Sequence, residues 1–328
     1  MILAGDVGGT KTRLSIYELL EGKPVQRANE QYSSVGSTGL APIVQKFLAD
    51  KKVSIETACF GIPGPVINGM ARTTNLPWLL SERELSNELH IPNVKLVNDL
   101  VATTASIPHI SLDGLITIHG GSATRDRTVC AVLAPGTGTG QGFLCPCGGK
   151  FVAFASEGGH VNFSPTNELE DRLLLYLRDK IKGHVSVERV LSGPGLVNVY
   201  EFLKHTGAAV EPPELSAKFV AGDAPAIVAS CGLSGEFEIC IKALDVFSHI
   251  LGSHAGDLVL TYMATGGLYL GGGIPPKIAS KLVQGQTLAG YLNKGRLSDL
   301  VKSTPLHIIK DDHAALLGAA SIAADMLQ

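Results

Sequence analysis

Two short turns made almost wholly of glycine and threonine, each set between strand-like segments, constrain this chain more than any other feature. The first, Asp6-Val7-Gly8-Gly9-Thr10-Lys11-Thr12, follows the apolar Ile2-Leu3-Ala4-Gly5 and leads into Arg13-Leu14-Ser15-Ile16-Tyr17. The second, Pro135-Gly136-Thr137-Gly138-Thr139-Gly140, follows Val129-Cys130-Ala131-Val132-Leu133 and leads into Gly142-Phe143-Leu144. Each reads as a β-hairpin tip suited to phosphate. Glycine lets the backbone come close to an anion, and its N–H groups can converge on one oxygen. Neither segment has P-loop spacing. Neither opens a helix, as the dinucleotide-binding fingerprint does. An ordinary tight hairpin would explain either turn alone. Two of them, the first preceded by an aspartate, point to phosphate.

A chain of 328 residues with 45% hydrophobic content predicts two domains or one large one, with a full core. The net charge of −3 argues against general nucleic-acid binding, which relies on a basic face. The amino terminus, Met-Ile-Leu-Ala-Gly-Asp, lacks the basic start of a signal peptide. The most apolar stretch, 258–274, is broken by Thr261, Thr265 and several glycines. It reads as a helix end, a strand and a glycine turn, not as a membrane span. Cysteines 59, 130, 145, 147, 231 and 240 sit mostly in apolar runs and read as reduced thiols, in keeping with a cytoplasmic location. Cys145-Pro146-Cys147 has no second cysteine pair nearby and reads as inert.

The pattern is α/β. Strands are expected at 2–7, 12–19, 25–33, 57–62, 69–73, 94–97, 115–119, 129–135, 140–144 and 267–270. Helices are expected at 39–50, 81–90, 99–106, 167–181, 194–205, 215–219, 224–230, about 236–263 and 313–327. The closing helix has small residues at Ala314, Gly318, Ala319 and Ala323, which suit close packing. It is expected to return to the amino-terminal domain.

Asn98-Asp99 follows the apolar strand Val94-Lys95-Leu96-Val97 and opens a helix. A carboxylate at a strand's carboxyl end sits where α/β ligand crevices form. Asp99 can be a general base, with Asn98 orienting a hydroxyl, or Asp99 can be no more than a helix cap. Glu157-Gly158-Gly159-His160 is a second cluster. Its glycines disfavour a helix, and a carboxylate beside an imidazole suits a polyol, since the one accepts and the other donates or accepts; a solvated turn with a structural histidine would explain the cluster as well. Glu188 is a third carboxylate, and alone it is as well explained by a surface ion pair.

The Asp-x-Gly-Gly-Thr opening, the Asn-Asp pair, Pro-Gly-Thr-Gly-Thr-Gly, Glu-Gly-Gly-His, Glu188-Arg-Val-Leu-Ser-Gly-Pro-Gly195 and the late Gly271-Gly-Gly-Ile-Pro-Pro276 stand in the order of bacterial ATP-dependent glucokinases. The chain resembles that family over essentially its whole length. The resemblance implies a two-domain, actin-like ATPase (ribonuclease H-like) α/β fold with an interdomain cleft. A small domain would span 1–112 plus 305–328. A large one, 113–304, would carry the second hairpin and the adenosine site. It implies phosphorylation of D-glucose at its 6-hydroxyl with ATP and Mg²⁺, with Asp99 as catalytic base. Asn98, Glu157, His160 and Glu188 would hold the sugar. Gly8, Gly9, Thr10, Gly136, Thr137 and Gly138 would contact phosphates, and Gly271, Gly272 and Ile274 would border the adenosine. Asp6 would hold Mg²⁺ through water. Asn75 matches a segment near the sugar pocket or marks a plain turn. Lys11 is within reach of phosphate or is a solvated strand end. The resemblance also implies a homodimer. The cysteine cluster of the related zinc-bearing sugar kinases does not follow His160, so no structural zinc is expected.

Three other readings stay open. A kinase for another hexose or amino sugar would share this fold. A sugar-responsive regulator would place a DNA-binding helix-turn-helix ahead of the first strand, and none stands there. A filament-forming ATPase would keep the hairpins without needing Glu157-Gly-Gly-His160.

Overall fold

The computed structural model describes residues 1–73, 76–122, 128–311 and 313–327. By packing, the chain divides into two compact units. One comprises Met1–Gly114, Cys147–Ala155 and Asp311–Gln328; the other comprises Leu115–Pro146 and Ser156–Lys310.

The first unit opens with strands β1 (Ile2–Val7), β2 (Lys11–Leu20) and β3 (Lys23–Ser33). A helix at Leu40–Leu48 leads to β4 (Thr57–Ile62). Three short strands, β5 (Val66–Ile67), β6 (Met70–Arg72) and β7 (Leu79–Ser81), form a small sheet of their own. The helix Glu82–Leu89 and β8 (Asn93–Asn98) follow. The main sheet runs β3-β2-β1-β4-β8, with β1, β4 and β8 parallel. The sequence explains this order. Every residue of β4 is buried, as are all but one of β1, which suits central parallel strands covered on both faces. The polar β3 takes the edge. One face of the sheet is covered by Leu40–Leu48, which buries Ile43, Val44 and Phe47. The other packs Ile2, Ala4, Cys59 and Val97 against the helices Asp99–Ala105 and Ala314–Asp325.

The second unit carries β9 (Leu115–His119), β10 (Cys130–Pro135) and β11 (Thr139–Cys147). The next strand, β12 (Lys150–Ser156), belongs with the first unit, and β13 (Gly267–Leu270) and β14 (Leu306–Ile309) return to the second. The second unit's strands lie in the order β11-β10-β13-β14-β9. Helices Glu168–Ile181, Gly193–His205, Ala224–Ser234 and Glu238–Tyr262 supply most of its core. The longest, Glu238–Tyr262, buries Leu244, Phe247, Leu251 and Val259 and ends on Met263 in a left-handed conformation, φ 50°. Among the described residues no single helix is long and apolar enough to cross a membrane. A pair bent by 100°, Ala224–Ser234 with Glu238–Tyr262, passes that test only when the two are joined, and both helices bury residues in this core.

Both glycine-threonine turns are hairpin tips. β1 and β2 pair antiparallel up to Val7 and Thr12, and β10 and β11 up to Pro135 and Thr139. The strands β12 and β14 and the short helices at Ala279–Leu282, Gln286–Leu292 and Ser298–Ser303 are additions to the expected elements. Each is too short, or too apolar on both faces, to show a clear period.

Candidate active site

In the first unit the predicted residues gather at one edge of the sheet. Asp6 lies opposite Gly61 of β4, and Gly61 lies opposite Val97 of β8. Two strand spacings therefore separate Asp6 from Val97, roughly 10 Å. Asn98 and Asp99 follow at the same carboxyl edge, where α/β folds bind ligands. The first hairpin tip turns over that edge. Gly8 N–H donates to the Lys11 carbonyl at 2.9 Å. A Cβ on Gly8 would stand 2.9 Å from that oxygen, so a side chain there would crowd the turn. Ser34 pins the tip from behind: its Oγ donates to the Gly8 carbonyl at 2.8 Å, and its N–H donates to the Thr10 carbonyl at 2.9 Å. Thr10 and Lys11 are exposed at the tip.

Asn98, and not Asp99, is the helix cap. The Asn98 Oδ1 accepts from the Leu100 N–H at 2.9 Å, and its Nδ2 donates to the Gly64 carbonyl at 3.1 Å. Asp99 is the first helical residue, and its Oδ1 also accepts from the Leu100 N–H, at 2.8 Å. Burial pushes the Asp99 carboxyl above its ordinary range, and the backbone hydrogen bonds only partly offset this. A carboxylate kept partly dry and short of compensating donors is a better proton acceptor than an exposed one. Asn75 lies outside the described residues.

The second unit draws its predicted residues together more tightly. The tip 136–138 closes with the Gly136 N–H donating to the Gly138 carbonyl at 2.8 Å. The Gly136 carbonyl in turn accepts from the Gly193 N–H at 2.8 Å, at the start of Gly193–His205. Ser192 caps that helix, its Oγ accepting from the Gly195 N–H at 3.0 Å. The segment after β13 lies beside the tip: the Gly271 N–H donates to Leu133 at 2.9 Å and the Ile274 N–H to Pro135 at 3.2 Å. Gly272 has φ +78°, and a Cβ on it would meet the Pro135 carbonyl at 2.7 Å, so both conformation and space call for glycine.

Glu188 sits directly against this hairpin. Its Oε2 accepts from the Thr139 N–H at 2.9 Å and stands 2.6 Å from where a Cβ on Gly138 would be. Glu157-Gly158-Gly159-His160 rests on the same strand. It forms a single 3₁₀ turn, Gly158–His160, with both glycines buried and the side chains of Glu157 and His160 exposed. A Cβ on Gly159 would lie 2.0 Å from the Thr139 carbonyl, and one on Gly158 2.0 Å from Gln141 Oε1. The two glycines thus let the turn settle onto β11. Glu157 Oε2 and His160 Nε2 are 4.0 Å apart. The Val187 N–H donates to the Val161 carbonyl at 2.9 Å, which ties this turn to the one carrying Glu188.

Within this unit one surface therefore carries glycine N–H groups, two carboxylates and an imidazole. The first group suits phosphate, the others a polyhydroxyl compound. Two supporting residues were not anticipated from the sequence: Ser34 behind the first tip and Gln141 beneath Gly158. Their partners lie 26 and 17 positions away in the chain, and no local pattern marks them.

The comparisons with known proteins agree in kind. The glucokinase family model matches residues 3–326. A glucokinase from Nostoc sp. is 39% identical, over 99% of this chain and 99% of its own length. The crystal structure of a glucokinase from an Antarctic psychrotroph superposes with a TM-score of 0.88 at 29% identity, covering 99% of this chain and 98% of that one. A ROK family glucokinase from Streptomyces griseus, solved in complex with glucose and AMPPNP, superposes with a TM-score of 0.65 at 16% identity over 99% of both chains, a likeness of fold.

Proposed function

The chain belongs to the glucokinase family, and from that premise we propose how its residues share the phosphorylation of glucose. It is an ATP-dependent glucose-phosphorylating enzyme with the actin-like ATPase fold, and its reaction takes ATP with a divalent metal.

Asp99 accepts the proton of the glucose 6-hydroxyl as that oxygen bonds to the γ-phosphorus and the bond to the β-phosphate oxygen breaks. Asn98, Glu157, His160 and Glu188 hydrogen-bond the sugar hydroxyls, and Asn75 joins them. Gly8, Gly9, Thr10, Gly136, Thr137 and Gly138 contact the phosphates, the N–H groups of Gly8 and Gly136 closing the two tips onto the Lys11 and Gly138 carbonyls, with Lys11 adding a cation. Gly271, Gly272 and Ile274 border the adenosine. Such transfers depend on positioning and charge stabilisation more than on covalent work by the protein. The observation that carries this reading is the contact of Glu188 with Gly138 and Thr139, which joins a carboxylate suited to a polyol to a hairpin suited to phosphate.

The metal is proposed to be Mg²⁺. Among the described residues no three His, Cys, Asp or Glu side chains form a cluster that could enclose an ion. A phosphate-borne Mg²⁺ needs only one or two protein carboxylates and keeps its waters, so Asp6 at the end of β1 fits as a ligand through water. When bound, the ion neutralises charge on the β- and γ-phosphates. The proposal also takes from the family a homodimer and the division into a small domain, 1–112 with 305–328, and a large one, 113–304, and from the cysteines a cytoplasmic location.

ADP release measured against glucose, mannose, fructose and glucosamine tests the substrate, and Glu188→Gln tests the sugar contact. One Glu188 oxygen is already committed to the Thr139 N–H, which a glutamine oxygen can also satisfy. The variant is expected to keep its fold and raise the glucose KM about tenfold, the weight of one charged hydrogen bond. Unchanged affinity and unchanged selectivity across the panel would make Glu188 purely structural.

A further inference from the structure

The turn that carries Glu157 and His160 is held from beneath by the long helix Glu238–Tyr262, through side chains no motif contains. Gln141, on β11, has its Oε1 facing Gly158 and its Nε2 2.6 Å from His254 Nε2. The amide nitrogen is the donor, so His254 Nε2 is the acceptor and the ring is neutral with its proton on Nδ1. Two turns further along the helix, the Tyr262 hydroxyl donates to Ser156 Oγ at 3.2 Å, and that oxygen accepts from the Gly158 N–H at 3.0 Å. One helix therefore reaches the underside of one turn at two points.

We propose that the His254–Gln141 pair is the positioning device that sets the Glu157-Gly158-Gly159-His160 turn at the height needed to grip the sugar. The proposal rests on the reading that this turn binds glucose. Three observations support it. Gln141 meets Gly158 so closely that a movement of its amide must move the turn or open a gap. His254 is half-buried and lines a cavity of about 10 Å³ with Phe163, Ser164, Glu170, Ser253 and Asp257. The phosphate hairpin, by contrast, has its own anchors at Gly193 and Glu188, so the pair acts on the sugar turn and not on the nucleotide side.

Burial holds the His254 imidazole down at about 4, opposed by Asp257 and reinforced by Lys294, which ion-pairs with Asp257 at 2.6 Å. Glu170 shares the cavity but is engaged by His249 at 2.7 Å and by Thr166. The neutral acceptor that Gln141 needs is therefore present throughout the neutral range.

Three variants test the pair. His254→Leu removes the acceptor and strands the Gln141 amide. It is expected to raise the glucose KM about tenfold, while kcat and the ATP KM stay within about twofold. His254→Gln offers a replacement acceptor and is expected to recover most of the loss. A glucose KM that His254→Leu leaves unmoved overturns the proposal, as does a parallel rise in the ATP KM or a failure of His254→Gln to rescue. Should His254→Leu not fold, Gln141→Leu reads the pair from its other end, with the same selective rise expected and the same null result decisive. Glu157→Gln belongs in the series. If it raises the glucose KM and the pair variants do not, the positioning role alone falls. If Glu157→Gln leaves the KM unmoved, the sugar reading of the turn falls, and this proposal falls with it.

Discussion

Asp99→Asn should bind glucose at close to wild-type affinity and lose about 10²–10⁴-fold in turnover, the usual weight of a general base. Asparagine has the same shape, and its amide oxygen can still accept from the Leu100 N–H that Asp99 Oδ1 now holds. Asn98, which caps the helix, is untouched. The local structure therefore survives while the proton acceptor is lost. Titration calorimetry with glucose and a coupled ADP-release assay separate the two effects. Near-normal turnover would remove Asp99 from the chemistry, and lost glucose binding would make it a sugar ligand first.

Burial also gives this prediction a thermal and a pH component. The native carboxyl is raised above its unfolded value. The folded state thus holds the Asp99 proton more tightly than the unfolded chain does, and the ionised side chain costs stability at neutral pH. Asp99→Asn removes that cost, so its melting temperature is expected to equal or exceed that of the wild type. The ionised form is the competent base. As pH falls, kcat/KM should therefore decline at a pH above the ordinary aspartate value of 3.8. A profile flat down to that value would disconnect Asp99 from the rate.

The hairpins were legible because their contrast is local: apolar strands stop at glycine and threonine and then resume. Asn98-Asp99 was legible for the same reason, as a polar pair ending an apolar strand. Which of the two is the cap was not legible, since either residue type caps a helix well; only the hydrogen bonds assign it to Asn98. The strand β14 is a buried run of four residues, as compatible with a helix fragment as with a strand until β13 and β9 flank it. Gln141 and His254 are 113 positions apart. Each is an unremarked residue in its own segment, and their role exists only because the long helix passes beneath β11. Side chains that touch a ligand leave local motifs; the side chains beneath them do not.

Gly318→Ala shows how far that lower layer can govern the reaction. On propensity alone the change should help, since alanine is favoured over glycine inside a helix by about 1 kcal/mol. The closing helix Ala314–Asp325 is already rich in alanine and would accept another. The packing says otherwise. A Cβ on Gly318 would stand 1.7 Å from the Ala102 carbonyl oxygen and 2.9 Å from the Ser106 nitrogen, all rigid backbone of the Asp99 helix region. A Cβ on Gly61 would in turn meet the Ala102 Cβ at 3.3 Å and the Asp99 Cα at 3.5 Å. The Asp99 helix is thus packed closely against the sheet at Gly61 and against the closing helix at Gly318, with a glycine at each contact. With alanine at 318 the two helices must part by more than an ångström, or the closing helix must slide and disturb the bond from Thr57 Oγ1 to the Ala323 carbonyl, 3.0 Å. Overpacking of this kind costs about 1–3 kcal/mol, which exceeds the propensity gain. If the Asp99 helix yields, the carboxylate is displaced, and an ångström of misplacement can cost about 10²-fold in rate. The expected result is a less stable protein in urea, with kcat reduced on the order of 10²-fold at an ATP KM near wild type. Full stability with full activity would mean that the two helices do not meet at this glycine.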